Sequence, residues 1–206
     1  MDPKRLGVVG FGDASFANRG ERTQGGFIVL LAEGDAELQS VTATRIRADS
    51  VNSQKATGNI AMFRSTKISR VCVGTFDTET IEAVETVDAS TCVAYLLSEL
   101  KNGRLPSIAE RVLLRGFGDV ELPPPDVWIE VESDGKGTVS AVHSTRPVSN
   151  KRRRIDIALL REMEERGFVG FRFCPTEKML ADGLTKGMCT SAIRQVAVTN
   201  TFELPI

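Results

Sequence analysis

Histidine and paired cysteines are scarce in this chain, and their scarcity excludes two kinds of site. The sequence contains one histidine and four cysteines, and no two cysteines form a C-x-x-C pair. The cysteines are Cys72, Cys92, Cys174 and Cys189. Because they are widely separated, we expect neither a disulfide framework nor a Cys/His zinc site, and the thiols should be reduced.

Long apolar runs and an excess of charge are also absent. No apolar run approaches the roughly 20 residues that a membrane helix requires, and the first residues do not have the pattern of a signal peptide. The chain has 26 basic and 27 acidic side chains, which gives a net charge of -1. We therefore expect a soluble intracellular protein, in the cytoplasm or the nucleus, with no membrane partner. Any binding to nucleic acid must come from a local basic patch.

The remaining composition is that of a globular domain. With 206 residues, of which 41% are hydrophobic, the chain is long enough for one domain with a buried core. Apolar periodicity and chain-breaking residues predict strands at 6–11, 25–33, 59–65, 68–74, 127–131 and 168–174, and helices at 79–100, 136–143, 151–166 and from Thr176 onward. Strands come first, and helices alternate with strands later. This order predicts an α/β fold with a mixed sheet, antiparallel among the early strands and parallel among the later ones.

Acidic residues stand at the ends or starts of three of these elements. Asp13 follows the first strand, Asp134 follows the strand at 127–131, and Glu79 lies in the first turn of the long helix. Such positions meet at one edge of an open α/β sheet. Clustered carboxylates repel one another unless cations neutralise them, and hard oxygen ligands suit Mg²⁺ or Mn²⁺. Taken singly, each acid could equally be a turn or capping residue.

Five segments of the chain contain motifs that occur together elsewhere. They are Gly12–Ala17, Thr78–Ile81, Val131–Gly137, Lys151–Ile157 and Pro175–Lys186. Together they resemble the ribonuclease H domain of copia-type retrotransposons, and the last segment is the most specific. The resemblance extends over nearly the whole chain, except residues 35–58, parts of 102–126 and the residues after Lys186.

The resemblance implies a fold, an activity and a set of site residues. The fold would be ribonuclease-H-like, with a mixed five-stranded sheet whose first three strands are antiparallel, flanked by helices. The activity would be metal-dependent hydrolysis of the RNA strand of RNA/DNA hybrids by a two-metal-ion mechanism. Matching the motifs residue by residue gives Asp13, Glu79, Asp134 and Asp182 as catalytic residues that bind two Mg²⁺ ions, or Mn²⁺ in their place. The implied partners are the hybrid and a reverse transcriptase domain of the same polyprotein.

The boundaries that follow are residues 1–187 for the domain and 188–206 for a C-terminal tail. Within the domain we expect an insertion at about 35–58 and a long connection at about 102–126, since both stretches are weakly patterned.

Three positions leave alternatives or depart from the family pattern. Glu82 competes with Glu79, because residues three apart lie on the same face of a helix, although the ungapped register of the helix favours Glu79. Many ribonucleases H have a mobile histidine between the last strand and the last helix, whereas that stretch here is Cys174–Glu177. The single histidine, His143, is interpreted as structural or surface-exposed. Gly135 stands where an asparagine often follows the third aspartate.

A basic run predicts a surface for nucleic acid. The four cations Lys151, Arg152, Arg153 and Arg154 begin the helix predicted at 151–166, whose last turns contain glutamates, and both placements oppose the helix dipole. An anionic partner such as a phosphate backbone would explain this, and a solvated charged face explains it equally well. Lys136, in the sequence Gly-Lys-Gly at a helix start, is a further candidate for phosphate binding.

Two other functions compete with the nuclease hypothesis. Gly7, Gly10 and Gly12 follow the pattern of a dinucleotide-binding oxidoreductase, but Ser15 stands where a third motif glycine is needed and no room remains for a crossover helix. The second alternative is a catalytically inactive ribonuclease-H-like domain that only binds nucleic acid, since a fold does not establish an activity.

Overall fold

The computed structural model describes residues 6–16, 23–33, 53–103, 127–186 and 191–205. The strands are β1 (Leu6–Ser15), β2 (Gln24–Glu33), β3 (Ser53–Lys67), β4 (Ile129–Ser133), β5 (Gly170–Phe173) and β6 (Thr201–Pro205). The helices are α1 (Thr75–Asn102), α2 (Lys136–Val142), α3 (Arg154–Glu165), α4 (Asp182–Thr185) and α5 (Ser191–Thr199), with a 3₁₀ turn at Thr176–Lys178. Most of the predicted insertion and connection lies outside the described residues.

One mixed sheet organises these elements, in the order β5-β4-β1-β2-β3-β6. Strand β1 is antiparallel to β2, and β2 to β3, whereas β1 is parallel to β4 and β4 to β5. The predicted α/β fold with a mixed sheet, antiparallel among the early strands and parallel among the later ones, is confirmed. The predicted number of five strands is wrong, because β6 from residues 188–206 pairs with Ser53–Thr57 of β3 and adds a sixth strand to the described sheet.

The segment after β2 differs from its prediction in two ways. Strand β3 is 15 residues long, begins before residue 59 and contains a bulge opposite Val29 and Leu30. Residues 68–74, predicted as a strand, form none, although the stretch is rich in β-branched residues. Val71 and Val73 are 74% and 72% exposed, so these two side chains lack the packing that favours β-branched residues in a sheet.

The long helix was correctly predicted in kind but begins earlier than expected. Helix α1 starts after Gly74, so Asp77 and Thr78 lie inside its first turn and neither is the N-cap. Asp77 instead accepts a hydrogen bond from the backbone N–H of Val73 and holds the preceding loop. The helix ends at Asn102 and is followed by Gly103, whose φ of 67° is left-handed and typical of a helix end. None of the described helices is both long and apolar enough to cross a membrane.

The sheet separates two hydrophobic clusters, because successive residues of a strand point to opposite faces. Val8 and Val29 face the cluster that α1 and α3 cover, and Val9 and Ile28 face the cluster on the other side. The second cluster is completed by Cys174, Met179, Leu180, Ala181, Val196, Phe202 and Leu204. The last turns and the sixth strand therefore belong to the core that supports the end of β1.

The glycines of β1 are packing residues, which excludes the dinucleotide-binding alternative. Gly7, Gly10 and Gly12 all lie within one continuous strand, not in a turn that opens a helix. A Cβ on Gly12 would lie 2.2 Å from the hydroxyl oxygen of Thr86, and one on Gly10 would lie 2.4 Å from that of Ser90. The missing side chains thus allow α1 to lie directly on β1.

Gly7 offers a direct test of this packing, because its Cβ would lie 2.0–2.3 Å from three atoms of the Trp128 indole. We expect Gly7→Ala to destabilise the protein by about 1–3 kcal/mol through overpacking. Thermal unfolding followed by fluorescence of Trp128, the single tryptophan, measures this. In the control Gly137→Ala the new Cβ comes no closer than 3.4 Å to Phe76, so stability should be unchanged or slightly higher. Equal stabilities of the two variants would refute the packing role.

Candidate metal centre

Three carboxylates from different elements meet at one edge of the sheet. Asp13 lies near the end of β1, Asp134 follows β4, and Asp182 begins α4. One oxygen from each lies within 4.8 Å of the others. Because β1 and β4 are parallel neighbours, with Gly12 paired to Ser133, the next residue of each strand reaches the same edge. The sequence predicted this meeting of Asp13 and Asp134.

Burial, with repulsion from neighbouring acids added to it, disfavours ionisation of Asp13 and Asp134. Asp13 is only 1% exposed, and this burial raises its pKa to about 6 although a hydrogen bond from Thr185 opposes the shift. Burial also raises the pKa of Asp134, whose Oδ2 accepts a hydrogen bond of 3.1 Å from the hydroxyl of Thr176. Asp134 and Asp182 are both partly exposed, so the cluster has a buried side and an open side.

Glu79 lies near enough to Asp134 and Asp13 for their charges to act on it, but it is not one of the three acids whose ligand oxygens lie within 4.8 Å of one another. Its Oε2 is buried and has no hydrogen-bond partner among the described residues. Burial, followed by the charges of Asp134 and Asp13, raises the pKa of Glu79 to about 9. A Cβ on Gly135 would lie 3.0 Å from the Cβ of Glu79. Because Gly135 has no side chain, Glu79 has room to lie against this position.

The side chain of Glu82, the residue that competes with Glu79 in the sequence, points toward Arg64. Its Oε1 lies 3.5 Å from a guanidinium nitrogen of Arg64 on β3, and a Cβ on Gly25 would lie 2.1 Å from its Oε2. Burial raises the pKa of Glu82 to about 7, while Arg64 opposes the shift. The helix therefore directs Glu79 toward the aspartates and Glu82 toward Arg64.

The donor set fits a divalent cation. It consists of hard carboxylate oxygens, which are the ligands that Mg²⁺ and Mn²⁺ prefer. The ammonium of Lys186 contacts Asp182 and lies 3.8 Å from Oδ1 of Asp13, so the cluster already attracts a cation. The buried, unpartnered Oε2 of Glu79 is a further oxygen that a cation would satisfy. Asp13, Glu79, Asp134 and Asp182 are thus the residues that could hold metal.

The predicted basic run is divided between the surface and the interior. Lys151 and Arg152 are exposed and precede α3, which begins at Arg154. Arg154 is exposed, and its Nε donates a hydrogen bond of 2.9 Å to the carbonyl of Val148. Arg153 is 6% exposed and contacts both Asp77 and Asp156. The structure therefore places Arg153 in the packing between α1 and α3, away from the surface where a phosphate could bind.

Lys136 and His143 lie at opposite ends of α2. Lys136 is exposed, two residues after Asp134, and its ammonium lies 5.0 Å from the centre of the Phe173 ring. His143 is half-buried, and its Nε2 lies 2.9 Å from Glu164 of α3. The hydrogen bond with Glu164 raises the pKa of His143. His143 is thus a structural residue that joins two helices, which agrees with its sequence interpretation.

Sequence reasoning assigned no role to three residues that contact the acids. They are Thr176, Thr185 and Lys186, all within the terminal motif. The spacing could have indicated two of them, since Thr185 and Lys186 follow Asp182 by three and four residues and such residues share a helix face.

Comparison with known proteins gives similarity at the level of structure alone. Neither a protein-family model nor a curated protein matches the chain. The N-terminal ribonuclease H domain of a Mycobacterium tuberculosis protein is 12% identical, with 93% of this chain and 99% of that one covered, at a TM-score of 0.45. Ribonuclease H1 of Halobacterium salinarum is 14% identical, with 94% and 98% covered, at a TM-score of 0.43. LC11 ribonuclease H1, solved in complex with an RNA/DNA hybrid, is 15% identical. The match covers 90% of this chain and 99% of that one, at a TM-score of 0.42.

The raised pKa values predict how a divalent ion should stabilise the protein. Folded-state pKa values of about 6 for Asp13 and about 9 for Glu79 exceed the ordinary 3.8 and 4.5. Their favourable contribution is therefore complete below the ordinary values and is lost as pH rises through the folded-state values. Mg²⁺ should offset that loss, because it binds the ionised carboxylates.

We therefore expect Mg²⁺ to raise the melting temperature by several degrees at about pH 8.5 and by much less at about pH 5.5. Glu79→Gln should raise the melting temperature of the metal-free protein at the higher pH, since it removes the cost of keeping a carboxyl group protonated far above its ordinary pKa. Differential scanning fluorimetry with and without Mg²⁺ measures both. An Mg²⁺ effect that does not depend on pH would contradict the cause given for these shifts.

Lys186 should compete with a divalent cation for the same carboxylates. We expect Lys186→Met to bind Mg²⁺ more tightly by about 1 kcal/mol, or roughly fivefold, because a neighbouring positive charge is removed. The metal-free variant should melt at a lower temperature. Calorimetric titration measures the affinity, and Lys178→Met provides a matched control in the same motif. Weaker Mg²⁺ binding by Lys186→Met would show that Lys186 does not compete with the ion.

Proposed function

We propose that this protein is a metal-dependent endonuclease that hydrolyses the RNA strand of RNA/DNA hybrids. The observation that supports this most directly is the meeting of Asp13, Asp134 and Asp182, whose ligand oxygens lie within 4.8 Å of one another. We propose further that it is the ribonuclease H part of an intracellular retrotransposon polyprotein, with a reverse transcriptase domain as its partner. The terminal motif that supplies Asp182 supports this context.

The four acids would share the task of holding the ions. Asp13 is buried, whereas Glu79, Asp134 and Asp182 are each partly exposed, although the Oε2 atom of Glu79 is itself buried. A pair of bound Mg²⁺ ions would supply an activated water and stabilise the departing 3′ oxygen, which is the two-metal-ion mechanism. The exposed side is where a phosphodiester could approach Asp134 and Asp182.

Cations near the acids would bind the rest of the substrate. Lys136 follows Asp134 by two residues, and its exposed ammonium could contact a phosphate of the strand at the cluster. The exposed Lys151 and Arg152 lie beside the start of α1, because the adjacent Arg153 and Asn150 both contact Asp77. Asp77 and Glu79 belong to the same first turns of α1. The basic run thus lies at the same end of the molecule as the acids.

A catalytically inactive nucleic-acid-binding domain remains the second candidate, and one observation favours it. Lys186 pairs with Asp182 and lies close to Asp13, so the cluster is partly neutralised by the chain itself. If this pairing persisted with substrate bound, the domain would bind a hybrid without cleaving it.

Incubation of the purified protein with an end-labelled RNA/DNA hybrid and Mg²⁺ separates the two candidates. We expect cleavage of the RNA strand only, and Asp134→Asn should reduce the rate by at least about 100-fold while leaving hybrid binding intact. Glu165→Gln, an exposed acid at the end of α3, should leave the rate unchanged. Binding without cleavage by the wild-type protein would support the inactive domain, and cleavage that survives Asp134→Asn would exclude this site.

A further inference from the structure

The two oxygens of the Asp13 carboxylate have different surroundings. Oδ2 accepts a hydrogen bond from the hydroxyl of Thr185. Oδ1 lies 3.8 Å from the ammonium of Lys186, which also contacts Oδ1 of Asp182. Thus Oδ1 faces the ammonium that also pairs with Asp182, whereas Oδ2 is occupied by the hydroxyl of Thr185. The two oxygens of this buried aspartate are therefore not equivalent as ligands for a cation.

Three contacts fix the position of Thr185 and of the neighbouring Leu184 at the end of α4. Its carbonyl accepts a hydrogen bond of 3.1 Å from the hydroxyl of Ser15, and the carbonyl of Leu184 accepts one from Ser65. These are carbonyls at the end of a short helix, where no backbone partner follows. The Cγ2 of Thr185 lies against β2, where a Cβ on Gly26 would approach it to 3.1 Å. The hydroxyl of Thr185 is therefore presented to Asp13 from a fixed position.

We infer that Thr185 is a positioning residue that orients the Asp13 carboxylate for metal binding. Its hydroxyl fixes Oδ2, which leaves Oδ1 as the ligand oxygen and holds the Asp13 side chain in one rotamer. Because Thr185 and Asp182 belong to the same helical turn, the same contact also fixes the distance between β1 and the helix that supplies Asp182. Partners that orient metal ligands in this way commonly account for a 10- to 100-fold change in metal affinity.

This inference rests on the proposed function, since the cation concerned is the divalent ion of the nuclease. The hydroxyl can be removed with little change of shape in Thr185→Val and retained in Thr185→Ser. Titration calorimetry with Mg²⁺ and no nucleic acid measures affinity directly. We expect Thr185→Val to bind Mg²⁺ about 10- to 100-fold more weakly than the wild type, and Thr185→Ser to remain within about threefold.

A control variant distinguishes the effect of the Thr185 hydroxyl from the effect of weakening the attachment of α4. Ser65→Ala removes a bond to the backbone of α4 but leaves the contact between Thr185 and Asp13. It should lower the melting temperature with less than about a threefold change in Mg²⁺ affinity. In cleavage assays, Thr185→Val should recover activity at high Mg²⁺ concentration, as a variant with weakened metal binding would. If Thr185→Val does not fold, Thr185→Ala provides the same comparison.

The outcomes distinguish this inference from the proposed function. If the wild type binds Mg²⁺ and Thr185→Val binds it equally well, the positioning role is excluded and the nuclease proposal survives. Equal weakening by Thr185→Ser or Ser65→Ala also excludes a specific role of the hydroxyl. If the wild-type protein binds no Mg²⁺ and cleaves no hybrid, the proposed function fails and this inference fails with it.

Discussion

Repulsion among carboxylates at one edge of the sheet is the constraint on which the rest of this structure depends. Asp13, Asp134 and Asp182 repel one another at short range, and burial together with this repulsion raises the pKa values of Asp13 and Asp134. The three come from separate elements, namely β1, the end of β4 and α4, and Lys186 and Thr185 contact Asp13 from the α4 side. The cluster persists because each acid is attached to an element that the core fixes independently.

Strand β1 is the element through which these attachments pass. It lies in the middle of the sheet, antiparallel to β2 and parallel to β4, so its end defines the edge that Asp134 also reaches. Its glycines allow α1 to lie close enough for Thr86 to occupy the space of the missing side chain of Gly12. The same close approach brings Glu79 alongside the aspartates. The glycines that resemble a dinucleotide-binding motif in the sequence therefore serve to bring α1, and with it Glu79, close to the aspartates.

Sequence reasoning succeeded where a residue's role depends on its own element and failed where the role depends on a distant partner. Asp13 and Asp134 could be placed because strand ends in an α/β sheet converge, whereas Asp182 lies in a four-residue helix that has no readable periodicity and needed the motif. Residues 68–74 have strand composition but no neighbouring strand. The burial of Arg153 could not be foreseen from a basic run, because it depends on Asp77, 76 residues earlier in the chain. Strand β6 was missed for the same reason, since its partner is β3.

The first turn of α1 joins the two charged regions of the molecule. Asp77 holds Arg153 and Asn150, which fixes the segment that contains the exposed Lys151 and Arg152. Two residues later, Glu79 faces the aspartates. A single rigid turn therefore sets the separation between the carboxylates and the surface cations. A polyanion that contacts both regions would not have to order either of them, since the protein has already met that entropic cost in folding. The buried Arg153 would thus contribute to such binding by holding its neighbours in place, without contacting the polyanion itself.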